Sequence, residues 1–468
     1  MLYRSTRDYA PDSSASAQSF SQILLKAIAP DGGLYVPHSY PPLDFEGLKG
    51  KNYQDIAFTV ISQFVDLPTD ALKAIIAKTY APEVFKADDV TPLRKLTPSL
   101  SILELFHGPT LAFKDVALQF LGHVFDYVLE QSGQDITILG ATSGDTGSAA
   151  IEAFKGKARV KIIILHPHER TSEIQRRQMT SVLDDNVFNI ALRGNFDDAQ
   201  AVVKRALNDK SIASTRVLTA VNSINWARIV AQIVYYVVAT VRLLEQGIQK
   251  PSFAVPTGNF GNIYAGYVAR CMGLQRGAPM GDLMIGSNRN DILTRFFESG
   301  EMKQDKVTPS VSPSMDIQIS SNFERYFYDL LGRNAQMVND KMNQFQHIKM
   351  FSVSTDLYDK ARHDFKAYRC SDEDTVKTIK AYYDAHGYIL DPHTAVGVFA
   401  AEQSGVMKDK HVVALACAHP AKFPEVIEKA IGLQPALPDS LADLFQREER
   451  YSVMDNDYEC IKQFILKV

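Results

Sequence analysis

Residues 137–149 read Thr-Ile-Leu-Gly-Ala-Thr-Ser-Gly-Asp-Thr-Gly-Ser-Ala, an apolar run that passes through a glycine-rich turn into a stretch of helical character. A strand that leads through a tight turn into a helix is the repeating unit of an α/β protein. Similar runs and helical stretches alternate from residue 100 to about 430, which predicts right-handed crossovers and parallel sheets covered on both faces. The sequence therefore predicts an α/β fold with two parallel-sheet units.

The chain is expected to divide into three parts. Residues 1–95 form a mostly helical N-terminal domain, because helical apolar spacing alternates there with proline and glycine turns. The large α/β unit takes residues 96–120 and 226–468, and its last ~35 residues are expected to be helical packing material. The small α/β unit, residues 121–225, is expected to act as a mobile lid.

Composition and charge argue against several classes of protein. Hydrophobic residues make up 46% of the 468, enough for large buried cores and too many for a disordered chain. Lys and Arg number 50 against 54 Asp and Glu, so the net charge of −4 gives no electrostatic reason to expect a nucleic acid or an anionic membrane as partner. The four cysteines lie far apart, which disfavours a disulfide framework and a metal site.

Neither the N-terminus nor the most apolar stretch indicates a membrane. Residues 1–21 are polar and lack the apolar core of a signal peptide. Residues 229–244 are interrupted by Gln232, Thr240 and Arg242, and they are shorter than the ~20 residues of a spanning helix. We therefore expect a buried helix at 229–244 and a cytoplasmic protein.

A lysine stands at a predicted helix start. Residues 105–115 read Leu-Phe-His-Gly-Pro-Thr-Leu-Ala-Phe-Lys-Asp, and the apolar residues that follow recur at helical spacing. Lys114 then lies in the first turn, where the helix dipole and burial both lower the pKa of an ammonium group. Such an amine suits a Schiff base or a proton shuttle, and the alternative is an ordinary solvated lysine.

Two loops, each between a predicted strand and a helix, are candidate anion sites. The first, residues 140–149, offers the hydroxyls of Thr142 and Ser143, and the second, residues 255–262, contains Gly-Asn-Phe-Gly-Asn. Backbone amides at a helix N-terminus bind anions without a cation. Alternatively, the first loop is a tight turn that Asp145 caps. Together with the helix-start lysine, the loops suggest a phosphorylated cofactor and an anionic substrate in one cleft.

Six motifs carry a family resemblance. They are FHGPTLAFKD, ATSGDTG, NSINWAR, PTGNFGN, DPHTAVG and AHPAKF. With them the chain resembles the threonine synthases, in the bacterial and fungal branch of the fold-type-II pyridoxal-phosphate-dependent enzymes, from Tyr35 to Phe423. The resemblance implies a tryptophan synthase β-like architecture with an N-terminal domain before the core, and pyridoxal 5′-phosphate as cofactor.

The resemblance also implies a role for each matched residue. Lys114 would form the Schiff base with the cofactor and then serve as acid and base. The residues expected to hold the cofactor are Lys114, Asp145, Gly258, Asn259, Phe260, Gly261, Asn262 and Cys417, those from 258 to 262 through its phosphate. The residues expected to bind the substrate are Thr142, Ser143, Gly144, Thr146, Ser223 and Arg228, the last three through its phosphate. For Ser223 and Arg228 the alternative is turn chemistry and a surface charge.

Cys417 lies directly before the C-terminal motif, and Lys422 lies within it. The family usually has Thr before Ala-His-Pro-Ala-Lys-Phe, with its hydroxyl near the pyridine nitrogen of the cofactor, and this chain has Cys417. A neutral weak donor there would leave that nitrogen unprotonated, and a core cysteine is the alternative. For Lys422 an exposed lysine is the expectation, and the alternative is an approach to the cleft.

The implied enzyme is a carbon–oxygen lyase that converts O-phospho-L-homoserine and water to L-threonine and phosphate. It would do so by γ-elimination and β-addition of water, in the last step of threonine biosynthesis. The alternatives are a threonine synthase-like phospholyase that gives 2-oxobutyrate, a serine/threonine dehydratase, and a non-catalytic cofactor-binding paralogue. The family favours a monomer and leaves a dimer open; the only partner expected is the small-molecule substrate, with no metal.

Overall fold

Two sheets organise the chain, and a small N-terminal domain packs beside them. The computed structural model describes residues 1–9, 17–26 and 28–468. The expected N-terminal domain of residues 1–95 is therefore described in part, since residues 10–16 and 27 lie outside the described residues.

The strands and α-helices have the following bounds. The strands are β1 (Tyr3–Ser5), β2 (Tyr35–Pro37), β3 (Leu93–Thr97), β4 (Leu100–Glu104), β5 (Ile136–Ala141), β6 (Val160–Pro167), β7 (Val187–Arg193), β8 (Leu218–Thr219), β9 (Ser252–Pro256), β10 (Leu283–Ser287), β11 (Glu301–Lys303), β12 (Met350–Ser352), β13 (Lys366–Arg369), β14 (Val412–Ala416) and β15 (Ser452–Asp455). The α-helices are α1 (Phe20–Leu24), α2 (Tyr53–Ile61), α3 (Thr69–Thr79), α4 (Lys114–Ser132), α5 (Asp145–Phe154), α6 (Glu173–Thr180), α7 (Phe196–Leu207), α8 (Lys210–Ala213), α9 (Trp226–Glu245), α10 (Gly261–Gly273), α11 (Ile292–Ser299), α12 (Phe323–Leu330), α13 (Ala335–Ile348), α14 (Thr355–Asp364), α15 (Asp372–His386), α16 (Pro392–Gln403), α17 (Pro424–Ile431) and α18 (Tyr458–Lys467).

The N-terminal domain consists of α1 to α3 and one antiparallel pair, β1 with β2. Helix α2 begins at the side-chain cap of Asn52, which accepts a hydrogen bond from the Asp55 amide at 2.8 Å. The helix packs against α9 and buries Ile56 and Val60 in the core that α9 shares. Because this contact is apolar, the domain is joined firmly to the large unit.

The large unit is built on six strands in the order β13–β10–β9–β14–β4–β3, parallel except for the β3–β4 pair. Strands β4, β9, β10 and β14 are buried along their whole length, as expected for a parallel sheet with helices on both faces. Residues of β14 alternate between two cores. Val413 and Leu415 lie in the core of α4, α9 and α10, whereas Val412 and Ala414 lie in that of α15, α16 and α17.

The small unit has five parallel strands in the order β15–β7–β6–β5–β8. Its first strand in this order comes from the C-terminus, with Ser452 opposite Ile190 of β7. Helix α18 follows and buries Ile461 and Ile465 against the same sheet. The structure thus differs from the expected division, which assigned all of 226–468 to the large unit, because strand pairing between distant segments leaves no local mark in a sequence.

Helices α4 and α9 join the two units. The expected boundary at residue 120 falls inside α4, which continues without a break to Ser132 and packs on both α5 and α9. Among the described residues, one helix, α9, is by length and composition apolar enough to cross a membrane, and it is almost entirely buried inside the protein. The predicted buried helix at 229–244 is confirmed, as is the α/β fold class with parallel sheets.

Candidate active site

A turn between β4 and α4 presents Lys114 as the first residue of α4. The buried carboxylate of Asp115 closes this turn, because it accepts hydrogen bonds from the Thr110 amide at 2.8 Å and the Thr110 hydroxyl at 2.7 Å. Burial raises the pKa of Asp115 to about 6, although the Thr110 donors act in the opposite direction. The backbone from which Lys114 projects is therefore fixed by a buried acid next to it.

Lys114 is buried, and its Nζ lies 3.5 Å from Oδ2 of Asp145. Burial lowers the pKa of Lys114; the Asp145 carboxylate raises it, and the positive groups of Lys422 and Arg228 lower it further. The alternative of an ordinary solvated lysine is wrong, because the side chain is only 12% exposed. The structure places here an amine that is close to a carboxylate and shielded from solvent.

Asp145, the first residue of α5, contacts four polar side chains of the site. Its Oδ1 accepts hydrogen bonds from Lys422 Nζ at 2.6 Å and from Gln175 Nε2 at 2.8 Å. Its Oδ2 accepts one from the Ser314 hydroxyl at 3.1 Å and faces Lys114. Burial raises the pKa of Asp145, but the ammonium groups of Lys422 and Lys114 outweigh burial and hold it well below its usual range. The acid is thus an ionised carboxylate shared between the two units.

The loop before α5 is shaped by Thr142. Its hydroxyl oxygen accepts hydrogen bonds from the amides of Gly144 and Gly147, each at 3.0 Å. Gly144 has a φ of +151°, which side chains rarely permit, and it is itself the N-cap of α5, so the alternative of an aspartate cap is wrong. Ser143 is exposed and Thr146 is half-buried.

The second loop ends at the N-terminus of α10. Phe260 is the N-cap in the left-handed region, with a φ of +63°, and its carbonyl accepts from the Tyr264 amide at 3.0 Å. The amides of residues 261–263 precede that first intrahelical bond and point out of the end of a 13-residue helix. A Cβ atom at Gly258 would lie 3.3 Å from Cα of Met315, so the loop and the Met315 segment leave little room for a side chain between them. This geometry makes an anion cradle.

A segment outside every predicted motif supports that loop. The amide and side chain of Asn322 donate to the Asn259 carbonyl at 3.0 and 3.1 Å. The Ser320 hydroxyl donates to the Gly258 carbonyl at 2.7 Å. Because both carbonyls are held from behind, the amide groups of the loop are left to face the cleft.

Asn262 and Cys417 lie side by side. Asn262 Oδ1 accepts hydrogen bonds from the hydroxyls of Tyr235 (2.5 Å) and Tyr236 (2.9 Å), and its Nδ2 lies 4.0 Å from Cys417 Sγ. Burial raises the pKa of the Cys417 thiol well above its usual value, so the thiol is neutral. A neutral thiol agrees with the weak donor implied by the resemblance and also with the core cysteine given as its alternative.

Arg228 is the unusual charge of this region. It is the third residue of α9, only 3% exposed, and its Nε and Nη1 have no hydrogen-bond partner within the described residues. Burial lowers the pKa of Arg228 to about 10. The alternative of a surface charge is wrong. Ser223 is half-buried and its carbonyl accepts from Asn322 Nδ2 at 3.2 Å, so turn chemistry describes its backbone.

Three residues in the site were not identified from the sequence. The prediction of an exposed Lys422 is wrong, because its side chain is fully buried between Asp145 and the Thr110 carbonyl (2.9 Å). Gln175 comes from α6, and Ser314 from a proline-containing stretch with no chemical motif. The one signal available was that Lys422 lies in a family motif directly after a buried strand.

The residues fit a phosphorylated aldehyde cofactor and a second anion. A buried amine could bond the aldehyde, the amides of 261–263 could hold a phosphate, and Arg228 offers two unpaired donors. Over the part of the chain that the structure describes, no group of three or more His, Cys, Asp or Glu side chains could hold a metal ion.

Three family models match successive parts of the chain. They are threonine synthase N terminus at residues 2–80, pyridoxal-phosphate dependent enzyme at residues 85–418, and threonine synthase, C-terminal, at residues 394–465. The second model alone covers more than half of the chain.

Known proteins resemble the chain over its full length. It is 48% identical to a threonine synthase of Pseudomonas aeruginosa, with 99% of this chain and 98% of that protein covered, and 43% identical to one of Methylobacillus glycogenes, with 100% of both covered. A crystal structure of threonine synthase from Brucella melitensis with pyridoxal phosphate bound superposes with a TM-score of 0.94 at 44% identity, covering 100% of this chain and 99% of that one.

Proposed function

Since the chain belongs to the threonine synthase family of pyridoxal-phosphate-dependent enzymes, we propose that it acts as a carbon–oxygen lyase on O-phospho-L-homoserine. Water and this substrate would give L-threonine and inorganic phosphate, in the last step of threonine biosynthesis. The observation that carries the proposal is a shielded amine, Lys114, 3.5 Å from the Asp145 carboxylate, together with a buried guanidinium, Arg228, that has two donors without a partner among the described residues.

Lys114 is proposed to move the protons of the reaction. When bound, the cofactor supplies an electron sink that makes protons on Cα and then on Cβ of the substrate acidic. Lys114 can accept these protons because burial lowers its pKa, and it can return them because Asp145 stabilises its ammonium form at 3.5 Å. Phosphate leaves from Cγ and the oxygen of water bonds to Cβ.

The two anion sites are proposed to hold different phosphates. Gly258, Asn259, Phe260, Gly261 and Asn262 would hold that of the cofactor, supported by the outward amides of α10. Arg228 would hold that of the substrate, with Ser223 and Thr146 beside it, because a guanidinium buried without an acceptor is stabilised by an arriving anion.

The remaining predicted residues are proposed to orient the reactants. Thr142, Ser143 and Gly144 form the turn that would receive the substrate carboxylate, which is supported by the exposure of Ser143. Asp145 would face the ring hydroxyl of the cofactor. Cys417 would lie near the ring nitrogen as a neutral group, and its raised pKa supports that charge state.

The proposal is tested by incubating the cofactor-loaded protein with O-phospho-L-homoserine and measuring phosphate, threonine and 2-oxobutyrate together. Threonine formed in step with phosphate is the expected result, and Lys114→Ala should abolish it with the fold intact. Phosphate with 2-oxobutyrate would instead indicate the phospholyase, although the identity to threonine synthases favours the synthase. Neither product would overturn the substrate assignment.

The surroundings of the enzyme are proposed from the same family. We expect a monomer in the cytoplasm whose only partner is its small-molecule substrate. Light scattering coupled to gel filtration would give about 52 kDa for a monomer, from a chain mass of 52.1 kDa. A mass twice as large would contradict the monomer.

A further inference from the structure

Lys422 has no role in the reaction proposed above, although its ammonium group is the nearest charge to the carboxylate beside Lys114. Its side chain is 0% exposed. A lysine this deeply buried costs free energy unless its charge is paired and its donors are satisfied. The fold therefore maintains Lys422 by specific contacts, and these contacts indicate what it does.

The ammonium group of Lys422 joins the two units of the fold. Lys422 lies in a short helical turn after β14 of the large sheet. Its Nζ donates to Oδ1 of Asp145, in the small unit, at 2.6 Å, and to the Thr110 carbonyl, in the turn before Lys114, at 2.9 Å. That carbonyl also accepts from Gln178 Nε2, in α6 of the small unit, at 3.1 Å. One cation thus ties both supports of Lys114 together.

We propose that Lys422 is a positioning residue for Lys114, clamping Asp145 on one side and the Thr110 turn on the other. This assignment rests on the proposed function only insofar as Lys114 is the reactive amine. Lys422 touches neither the substrate nor the cofactor in this role; it acts through Asp145.

The charges around Lys114 explain what the clamp achieves. Asp145 faces it from α5, Lys422 from the turn after β14, Arg228 from α9, and the neutral thiol of Cys417 from the end of the same strand. Asp145 lies closer to Lys422 (2.6 Å) than to Lys114 (3.5 Å), so the Asp145 carboxylate pairs mainly with the Lys422 ammonium group. The Lys114 amine then remains free to lose its proton, as its lowered pKa indicates.

Removing Lys422 should reverse this balance. In Lys422→Met, which has a similar volume and no charge, Asp145 is left to pair with Lys114, and the pKa of Lys114 should rise by about one unit. The measurement is competitive labelling of amines in the cofactor-free full chain, followed by mass spectrometry of the Lys114 peptide from pH 6 to pH 11. We expect labelling at pH 8 to slow about tenfold relative to the parent protein.

Lys157 offers a matched control, because it too is a buried lysine paired with an aspartate, Asp126, at 3.1 Å. Asp126 lies 12 residues along α4 from Lys114, which is about 18 Å. Lys157→Met should leave the Lys114 labelling profile unchanged. Lys422→Arg, which keeps the charge, should restore most of the parent profile.

Two further readouts keep the proposal open to contradiction. In the loaded enzyme, Lys422→Met should lower kcat about a hundredfold and change KM less than threefold, because the substrate contacts remain. If thermal unfolding shows that Lys422→Met does not fold, Asp145→Asn should shift Lys114 labelling in the opposite direction, to lower pH. A Lys114 profile that is the same in the parent and the folded variant would overturn the proposal. Labelling needs no substrate, so this result is independent of whether O-phospho-L-homoserine is turned over.

Discussion

Arg325 in α12 and Arg228 in α9 are both buried, and burial lowers the pKa of each to about 10. Their surroundings differ. Arg325 donates to the backbone carbonyls of Tyr35 (2.9 Å) and Ile224 and to the side chain of Asn322. Nε and Nη1 of Arg228 have no acceptor within residues 1–9, 17–26 and 28–468. Each guanidinium nitrogen of Arg325 has an acceptor, whereas two of those of Arg228 have none among the described residues.

This difference separates a charge that holds the fold from one that awaits a ligand. A buried donor without an acceptor costs about 1–3 kcal/mol, so a protein keeps one only where it is useful. Arg325 ties the N-terminal domain, at β2, to the residues leading into α9. The two unpaired donors of Arg228 make no such connection, and the free-energy cost of burying them is offset only when an anion binds.

The largest expected effect is on catalysis by Arg228. Arg228→Met should lower kcat/KM for O-phospho-L-homoserine about a thousandfold, which is about 4 kcal/mol, because the substrate phosphate loses its charged fork. Arg228→Lys should recover part of this, since it restores the charge without the fork. Steady-state kinetics would check both variants. A loss in kcat/KM below tenfold in Arg228→Met would show that Arg228 does not hold the substrate phosphate.

The next effect is on stability, and here Arg325 contributes more than Arg228. Arg325→Met should lower the free energy of unfolding by about 3 kcal/mol, because it leaves two carbonyls and an amide oxygen without their donor. Arg228→Met should raise it by about 1–3 kcal/mol, since it removes buried donors that have no acceptor among the described residues. Urea unfolding of the cofactor-free proteins would measure both. Equal losses would show that the two arginines are alike after all.

Asp115 extends the comparison to a buried carboxylate. It has its Thr110 donors, yet burial still raises its pKa to about 6, against ~4 in an unfolded chain. The folded protein therefore keeps this proton to a higher pH than the unfolded chain does, and the stability so gained is full below pH ~4 and lost as pH rises through 6. The loss should approach 2–3 kcal/mol between those limits.

Asp115→Asn isolates that contribution, because the amide does not titrate. Urea unfolding at intervals from pH 4 to pH 7 should show the parent protein losing stability relative to the variant as pH rises. A difference that stays constant across this range would show that Asp115 has an ordinary pKa and that its hydrogen bonds compensate fully for burial.

The sequence predicts a site residue when the motif around that residue indicates its role. Lys114 and Arg228 follow local patterns, a helix start and a family motif, and they are the first residue of α4 and the third residue of α9. Lys422 and Ser314 take their meaning from Asp145, which lies far from both in sequence, and hydrogen bonds between distant segments leave no periodicity to detect.

The fold shows the same limit. Strands β9 and β14 of the large sheet are apolar runs that the sequence shows directly, because parallel strands are covered on both faces. The C-terminal strand β15 is half-exposed and short, and only its register with β7 assigns it to the small unit. Local pattern therefore predicted the fold class, whereas long-range pairing determined which unit each strand joined.

The smallest expected effect is the stabilisation of the cofactor-free protein by inorganic phosphate, which tests the role of Arg228 without substrate. Inorganic phosphate should stabilise the parent protein by about 1.4 kcal/mol at ten times its Kd, because binding to the folded state alone shifts unfolding by mass action. Arg228→Met should lose most of that gain, whereas Arg242→Met, at the other end of α9 and bonded to the Lys51 carbonyl at 3.0 Å, should keep it. A gain that survives in Arg228→Met would assign phosphate to the amides of residues 261–263 instead. In that case the unpaired donors of Arg228 would need another occupant, and the substrate carboxylate is the anion left to provide it.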